Sequence, residues 1–343
     1  MRTERSALRR KSQRHKPVAA PPSNRHAAVT AGIEPVAAKK RGDPTTFHNR
    51  TLLSFSFASL CLLALSCTRS NDQTSPAGAG SATDPGAKSN IAIKGSDTMV
   101  ILGQRWAEAY MKVRSEAVVQ VTGGGSGTGI AALINGSTDI CEASRPMKDK
   151  EKPDVQAKRN APAVETKVAL DALAVYVNAK NPIQEISIPA LAKIYLGETK
   201  NWKDVGGPNH AIILYGRENN SGTYGYFKEH VLQEKDFAPA TQTLAGTSAV
   251  VNAVRGDEFG IGYGGIAYLE GIRALKVKKD DAAPAIAPSL ETAQSGSYPI
   301  SRFLYFYTAG PSTPAVAKFI DWVKGDAGQK IIGDVGYYPL PKG

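Results

Sequence analysis

Three short turns carry the residues most able to do chemistry. They are KGSDTM at 94–99, TGGGSGTGI at 122–130 and RENNSGTYG at 217–225. Each follows a strand-like run and precedes a helix-like one. A helix N-terminus presents unpaired N–H groups and about half a positive elementary charge. Glycine lets backbone approach a ligand closely, and Ser or Thr adds hydroxyl donors without net charge. Three such ends converging on one point would hold a small oxyanion, with Arg217 as a nearby cation. Nucleotide and nucleophile chemistry fit poorly. A P-loop needs a Lys after its last glycine, and none follows here. Gly123 and Gly125 put Thr128 where GxGxxG needs its final glycine. The same Thr128 spoils a GxSxG nucleophile elbow around Ser126, and no His/Asp pair is evident to activate that serine. No His/Cys cluster has metal-ligand spacing, and His210 and His230 read as isolated surface residues.

The elements that position these turns are legible as a strand–helix alternation. IAIKGS (91–96) reads as a strand running into a turn. Residues 99–113 have helical spacing, with Trp106, Ala109 and Tyr110 on a core face and Asp97 or Thr98 as N-cap. AVVQVTG is a strand, Thr128–Asn135 starts a helix that Gly136 closes, and TDICEASR is a strand holding Cys141 as a small buried residue. VALDALAVYVNAKNP (168–182) reads as a long buried strand. Ile188–Leu196 forms a helix after Pro189. AIILYGREN is a strand, SGTYGYFKEHVL a turn into a helix, FGIGYGGIAYL a close-packed segment and ISRFLYFYTAG another long strand. Ala315–Gly325 is the C-terminal helix. This alternation implies parallel βα units in an α/β fold.

The formal charge of +11 over 343 residues suggests a nucleic-acid partner until it is mapped. Residues 1–50 hold 12 of the 42 Lys/Arg but only 3 of the 31 Asp/Glu, leaving 30 against 28 elsewhere. The folded part is therefore nearly neutral, and no nucleic-acid partner is expected. The basic head, 1–50, reads as a disordered extension. Residues 51–67, TLLSFSFASLCLLALSC, form an apolar run of signal-peptide length, short of the ~20 residues a spanning helix needs. Its final Cys67 is a lipidation candidate, because the run resembles a bacterial lipoprotein signal. Residues 68–89 are Ser/Ala/Gly/Pro-rich and read as a flexible tether, with folded structure beginning at Ile91. Processing at Cys67 would leave Cys141 as the one remaining free thiol, so a disulfide framework is excluded.

GSDTM, GGGSGTGI, ASRPM, LAKIYLGETKNWKDVGG (191–207), YGRENNSGTYGYF and GIGYGGIAYL occur in the order found in PstS-like phosphate-binding proteins, which this chain resembles over about residues 91–343. The LxxIYxGxxxNWxDxGG run and the RxxxSGT turn carry most of that resemblance. It implies a periplasmic-binding-protein fold, with two α/β lobes joined by two crossing strands around a ligand cleft. Lobe 1 would comprise 90–170 with 290–343, and lobe 2 would comprise 171–289. The implied function is capture of inorganic phosphate and delivery to ABC transporter permease subunits, by a monomer without cofactor, metal or catalysis. The nearest alternatives are a receptor for another tetrahedral oxyanion, such as sulfate or a phosphonate, and a phosphate-sensing subunit. Carried across, the binding residues are Ser96, Asp97, Thr98 and the Met99 N–H, Ser126, Arg145, and Arg217, Ser221, Gly222 and Thr223. Arg145 is a departure. The best-known members carry Asp there, and its carboxylate accepts the proton that phosphate keeps and sulfate lacks. Arg145 would add a cation instead. Asp97 is then the first candidate acceptor and Glu142 a weaker one.

Overall fold

In the computed structural model, residues 88–341 are described. The expectations for 1–50, 51–67 and Cys67, and nearly all of the 68–89 tether, lie outside that range. The element order is β1 (Ser89–Gly95), α1 (Val100–Val113), β2 (Ala117–Thr122), α2 (Ser126–Asn135), β3 (Ile140–Ala143), α3 (Glu151–Arg159), β4 (Ala163–Asn178), β5 (Glu185–Ser187), α4 (Ile188–Tyr195), β6 (Ile213–Arg217), α5 (Gly222–His230), β7 (Gln242–Leu244), α6 (Thr247–Gly256), β8 (Gly260–Gly265), β9 (Ile272–Ala274), β10 (Lys276–Lys278), α7 (Leu290–Gln294), β11 (Ser301–Ala309), α8 (Pro314–Lys324) and α9 (Asp326–Val335). No helix among the described residues is long and apolar enough to cross a membrane.

Nine strands form one sheet in the order β2-β1-β3-β11-β4-β8-β6-β7, with β9 also on β4. β1 pairs in parallel with β2 and β3, and β6 with β7 and β8. Between these two parallel groups run β11 and β4, antiparallel to their neighbours. Within this sheet the strand–helix alternation therefore gives parallel pairs only at the two wings, and β5 and β10 form a separate parallel pair. β4 belongs to both halves. Its residues up to Ala172 pair with β11, and Leu173–Val177 pair with β8. Residues 168–178 are all buried, as a strand covered on both faces requires.

The helices cover this sheet with apolar stripes. On α1, Leu102, Trp106 and Tyr110 lie four residues apart and are buried. The Trp106 indole donates to Gly328 O of α9 at 2.9 Å, so a large ring is buried with its polar atom satisfied. Burying one such side chain contributes about 1.5–3 kcal/mol. In the other half, Tyr195, Phe227 and Tyr263 pack together, and the Phe227 and Tyr263 rings stack at 4.0 Å between centroids. That cluster holds α5 on β8.

Several expectations shift at the edges. α2 begins at Ser126, not Thr128, so Ser126 is already inside the helix. β4 starts at Ala163, five residues before its apolar run. α1 has Met99 as its N-cap residue and no side-chain cap, so neither Asp97 nor Thr98 caps it. The helix expected to end the chain is followed by α9. His210 and His230 are exposed and stack on Phe259 and Tyr226. Cys141 is buried and free, and burial pushes its thiol up out of the reactive range.

Candidate functional site

The three turns meet at one place. The turn after β1, the loop between β2 and α2, and the turn between β6 and α5 bring Ser96, Thr98, Ser126, Arg217, Ser221 and Thr223 together, every one at most 3% exposed. Thr98 Oγ1 and Thr223 Oγ1 lie 2.7 Å apart, joining the two halves of the sheet. Gly222 opens α5 directly against the hydroxyls of the other half, since a Cβ there would collide with Ser126 Oγ. Ser144, just past β3, completes the cluster. Its hydroxyl accepts from Ser96 Oγ at 2.9 Å, and its N–H donates to Ser126 Oγ at 3.0 Å. The first turn is held from behind by two tyrosines. Tyr268 donates to Asp97 O at 2.8 Å and Tyr337 to Thr98 O at 2.6 Å.

Local chemistry shapes each turn. Ser221 is the N-cap of α5, and its Oγ accepts from the N–H groups of Thr223 and Tyr224. Its hydroxyl hydrogen therefore remains free to donate elsewhere. The Met99 N–H, expected as an anion donor, goes instead to Ser96 O at 2.9 Å in a tight turn. Gly125 precedes α2 at φ 91, a left-handed value that a side chain would strain.

Two buried arginines flank the hydroxyls, and each is paired. Arg217 Nη2 donates to Asp97 Oδ2 at 2.7 Å, and Nη1 donates to Thr247 Oγ1 at 2.8 Å. The other Asp97 oxygen accepts the Gly124 N–H at 2.7 Å. Asp97 thus ties the first turn to both other turns rather than capping a helix. Arg302, at the start of β11, donates through Nε and Nη2 to Asp171 Oδ2 at 3.0 and 2.8 Å. Nη2 also reaches Thr223 Oγ1 at 3.0 Å, and Asp171 Oδ1 accepts the Ile266 N–H. Burial pushes the Asp171 carboxyl up, with Arg302 and Ile266 opposing it. Arg217 Nε and Arg302 Nη1 are buried and have no acceptor among the described residues. Buried donors of this kind suit an anion.

A further contact ties the loops directly. The Gly127 N–H donates to Asn220 O at 2.8 Å, and Asn220 Nδ2 donates to Gly124 O at 3.0 Å and Thr128 Oγ1 at 3.3 Å. A Cβ at Gly125 would lie 2.7 Å from Asn220 O, and one at Gly127 3.1 Å from it. The glycines of this loop are thus needed to admit a neighbouring loop.

Two candidate residues fall elsewhere. Arg145 sends both terminal nitrogens to Glu151, at 2.8 and 2.7 Å, and Nη1 also to Pro146 O. It is a strut between the end of β3 and the start of α3, its terminal nitrogens engaged by Glu151 and Pro146 O. Burial alone would raise the Glu151 carboxyl, but Arg145 and the Lys148 N–H hold it low. Glu142 is fully buried with neither carboxyl oxygen partnered, packed against Gly103 of α1, and burial pushes its carboxyl well above the usual range. Its part at the cluster is its carbonyl, which accepts the Ser96 N–H.

Asp171, Arg302, Ser144, Thr247 and Asn220 are additions that the sequence reading lacks. Asp171 and Arg302 do leave a signal, as single charges inside long apolar strands. Ser144 stands beside Arg145 in the ASRPM motif.

Residues 78–327 match the model of a PBP superfamily domain. The phosphate-binding protein PstS of Pseudomonas aeruginosa is 33% identical over 273 residues, spanning 75% of this chain and 84% of that protein. PstS of Bacillus subtilis is 29% identical over 294 residues, 85% and 94% of the two chains. Among solved structures, a Clostridium perfringens protein with bound phosphate aligns with a TM-score of 0.67 and 26% identity, covering 74% of this chain and 100% of that one. An ABC-type phosphate transport receptor from Vibrio cholerae aligns at 0.59 and 27%, covering 72% and 99%.

Proposed function

We propose a working mechanism for a chain that belongs to the PBP superfamily and, within it, to the PstS phosphate-binding proteins. The protein is an extracytoplasmic receptor that captures inorganic phosphate and delivers it to an ABC transporter permease. The observation that carries the mechanism is the meeting of three hydroxyl-bearing turns with the buried Arg217. Phosphate sheds its water and takes hydrogen bonds from Thr98, Ser126, Ser221 and Thr223, with Ser96 acting through Ser144. The N-terminus of α5 adds the Gly222 N–H and its dipole, while the Thr223 N–H stays with the Ser221 cap. Arg217 supplies charge-assisted bonds.

Asp97 is the acceptor for the proton that phosphate keeps and sulfate lacks. In support, Asp97 is in direct contact with Arg217 and is 20% exposed, whereas Asp171 is fully enclosed. Lobe 1 is 90–170 with 290–343 and lobe 2 is 171–289, a division supported by the sharing of β4 between the two halves of the sheet. The lobes close on the ion as a hinged trap. Cys67 anchors a monomeric receptor to the membrane through lipid.

The test is calorimetric titration of the purified chain with phosphate, sulfate and arsenate at two pH values. Phosphate should bind and sulfate should not. Equal affinity for sulfate, or none for phosphate, defeats the reading. Arg217→Ala should weaken binding at least about a hundredfold, since it removes charge-assisted bonds of about 1.5–3 kcal/mol each. Asp97→Asn should narrow the phosphate–sulfate gap, and unchanged selectivity would leave Asp97 as a partner of Arg217 alone.

A further inference from the structure

We propose that the buried Asp171–Arg302 pair is a positioning device for the anion site, fixing the direction of the Thr223 hydroxyl so that it meets the ion as a donor. The inference rests on the phosphate-binding reading above and adds residues to it.

A guanidinium has five N–H donors and no acceptor. Arg302 Nη2 lies 3.0 Å from Thr223 Oγ1, so that oxygen must accept from it. One lone pair of Thr223 is thereby used, and its single hydrogen is left to give. The neighbouring Thr98 Oγ1, at 2.7 Å, can either donate or accept and does not fix a direction. Arg302 does, because it has only one role available. Arg302 is itself held. Its Nε and Nη2 share Asp171 Oδ2, while Asp171 Oδ1 is held by the Ile266 N–H.

The placement argues for a purpose beyond stability. The side chains of Asp171 and Arg302 are 0% and 2% exposed. Buried ion pairs are weak stabilisers, because desolvation offsets their attraction and apolar pairs often do as well. Here the pair stands where β4 passes from one half of the sheet to the other. Arg302 lies opposite Asp171, the last β11 pairing is Ser301 with Ala172, and the first β8 pairing is Leu173 with Gly265. From that crossing point Arg302 lies over the Tyr226 ring at 5.3 Å and gives its one remaining hydrogen bond to Thr223, on the first turn of α5. Two other hydroxyls also accept from fixed donors. Ser221 Oγ accepts two backbone N–H groups and Ser126 Oγ accepts the Ser144 N–H. For Ser221 this leaves the hydrogen for the ion, while Ser126 Oγ also lies 3.4 Å from Ser144 Oγ, to which it can donate or from which it can accept.

The test is a double-mutant cycle on phosphate affinity, measured by calorimetry on the full chain, using Arg302→Gln, Thr223→Val and the pair. Thr223→Val should weaken binding about tenfold to a hundredfold, the range expected for one hydrogen bond to a charged group. Arg302→Gln should weaken it about tenfold, yet cost no more than about twofold once Thr223 is Val. Thr223→Ser restores the hydroxyl and should restore sensitivity to Arg302→Gln. A merely structural pair would lower melting temperature and weaken binding equally in every background. Additive losses, or an unchanged affinity in Arg302→Gln, overturn the proposal. Where Arg302→Gln does not fold, Arg302→Lys serves in the same cycle, because a lysine cannot span Asp171 and Thr223 with the same fork. Failure of the unaltered chain to bind phosphate overturns both this inference and the reading it rests on, whereas binding with an additive cycle overturns this one alone.

Discussion

Gly127→Ala separates the stability of the fold from the affinity of the site. Gly127 lies in the first turn of α2, with no positive φ to preserve. Alanine in a helix is favoured over glycine by up to about 1 kcal/mol, so the unliganded protein should melt no lower than before. The added methyl would lie 3.1 Å from Asn220 O, closer than such contacts comfortably sit, and at an ordinary 3.5 Å from its Cα. Asn220 must give by a few tenths of an ångström, stretching the 2.8 Å bond from the Gly127 N–H and the 3.0 Å bond from Asn220 Nδ2 to Gly124 O. Each net hydrogen bond contributes about 0.5–1.5 kcal/mol, so weakening the two costs about 1–2 kcal/mol of lobe contact. Closure and binding share one free energy, and the phosphate Kd should rise about five- to thirtyfold. Calorimetry and a thermal melt without phosphate measure the two quantities separately. A Kd within twofold of the parent would refute the idea that these glycines serve lobe contact. A melting temperature that drops along with affinity would mean the change had damaged α2 itself.

Burial raises the Glu142 carboxyl well above its ordinary value, so the folded protein keeps a proton that the unfolded chain releases. Stability from this group is complete below the ordinary carboxylate range and declines as pH rises, by up to about 1.4 kcal/mol per unit. Glu142→Gln should flatten that decline in urea unfolding between pH 5 and 8, and parallel curves for the two proteins would count against a buried neutral acid. Arg145→Ala should leave phosphate affinity within twofold while lowering stability by about 1–3 kcal/mol, because it strands the partly buried Glu151. A large affinity loss in that variant would return Arg145 to the anion site.

Much of the site is readable in the sequence because the turns obey local rules. Ser221 caps α5 and Gly136 closes α2 through short-range geometry that neighbouring residues specify. The long strands are visible from unbroken apolar runs. α3 and α9 are not, since α3 buries only Val155 and α9 only Gly328 and Ile332. A helix with so few buried residues leaves little periodic signal. Side-chain partners are the harder part. Arg217 has Glu218 as its neighbour in the chain, yet it pairs with Asp97, 120 positions away. Arg145 stands as a cation in a binding motif, but Glu151, six residues on, takes both of its terminal nitrogens. Which of several carboxylates an arginine meets depends on how distant elements pack, and nothing local encodes it.

Each arginine at the cluster is matched by one acid: Arg217 by Asp97 and Arg302 by Asp171. The ion therefore enters a place of zero formal charge, drawn by the oriented dipoles of hydroxyls, N–H groups and a helix end. Such attraction acts over a few ångströms, well inside the ~10 Å over which 0.1 M salt screens a charge. Ionic strength should therefore change the phosphate Kd little.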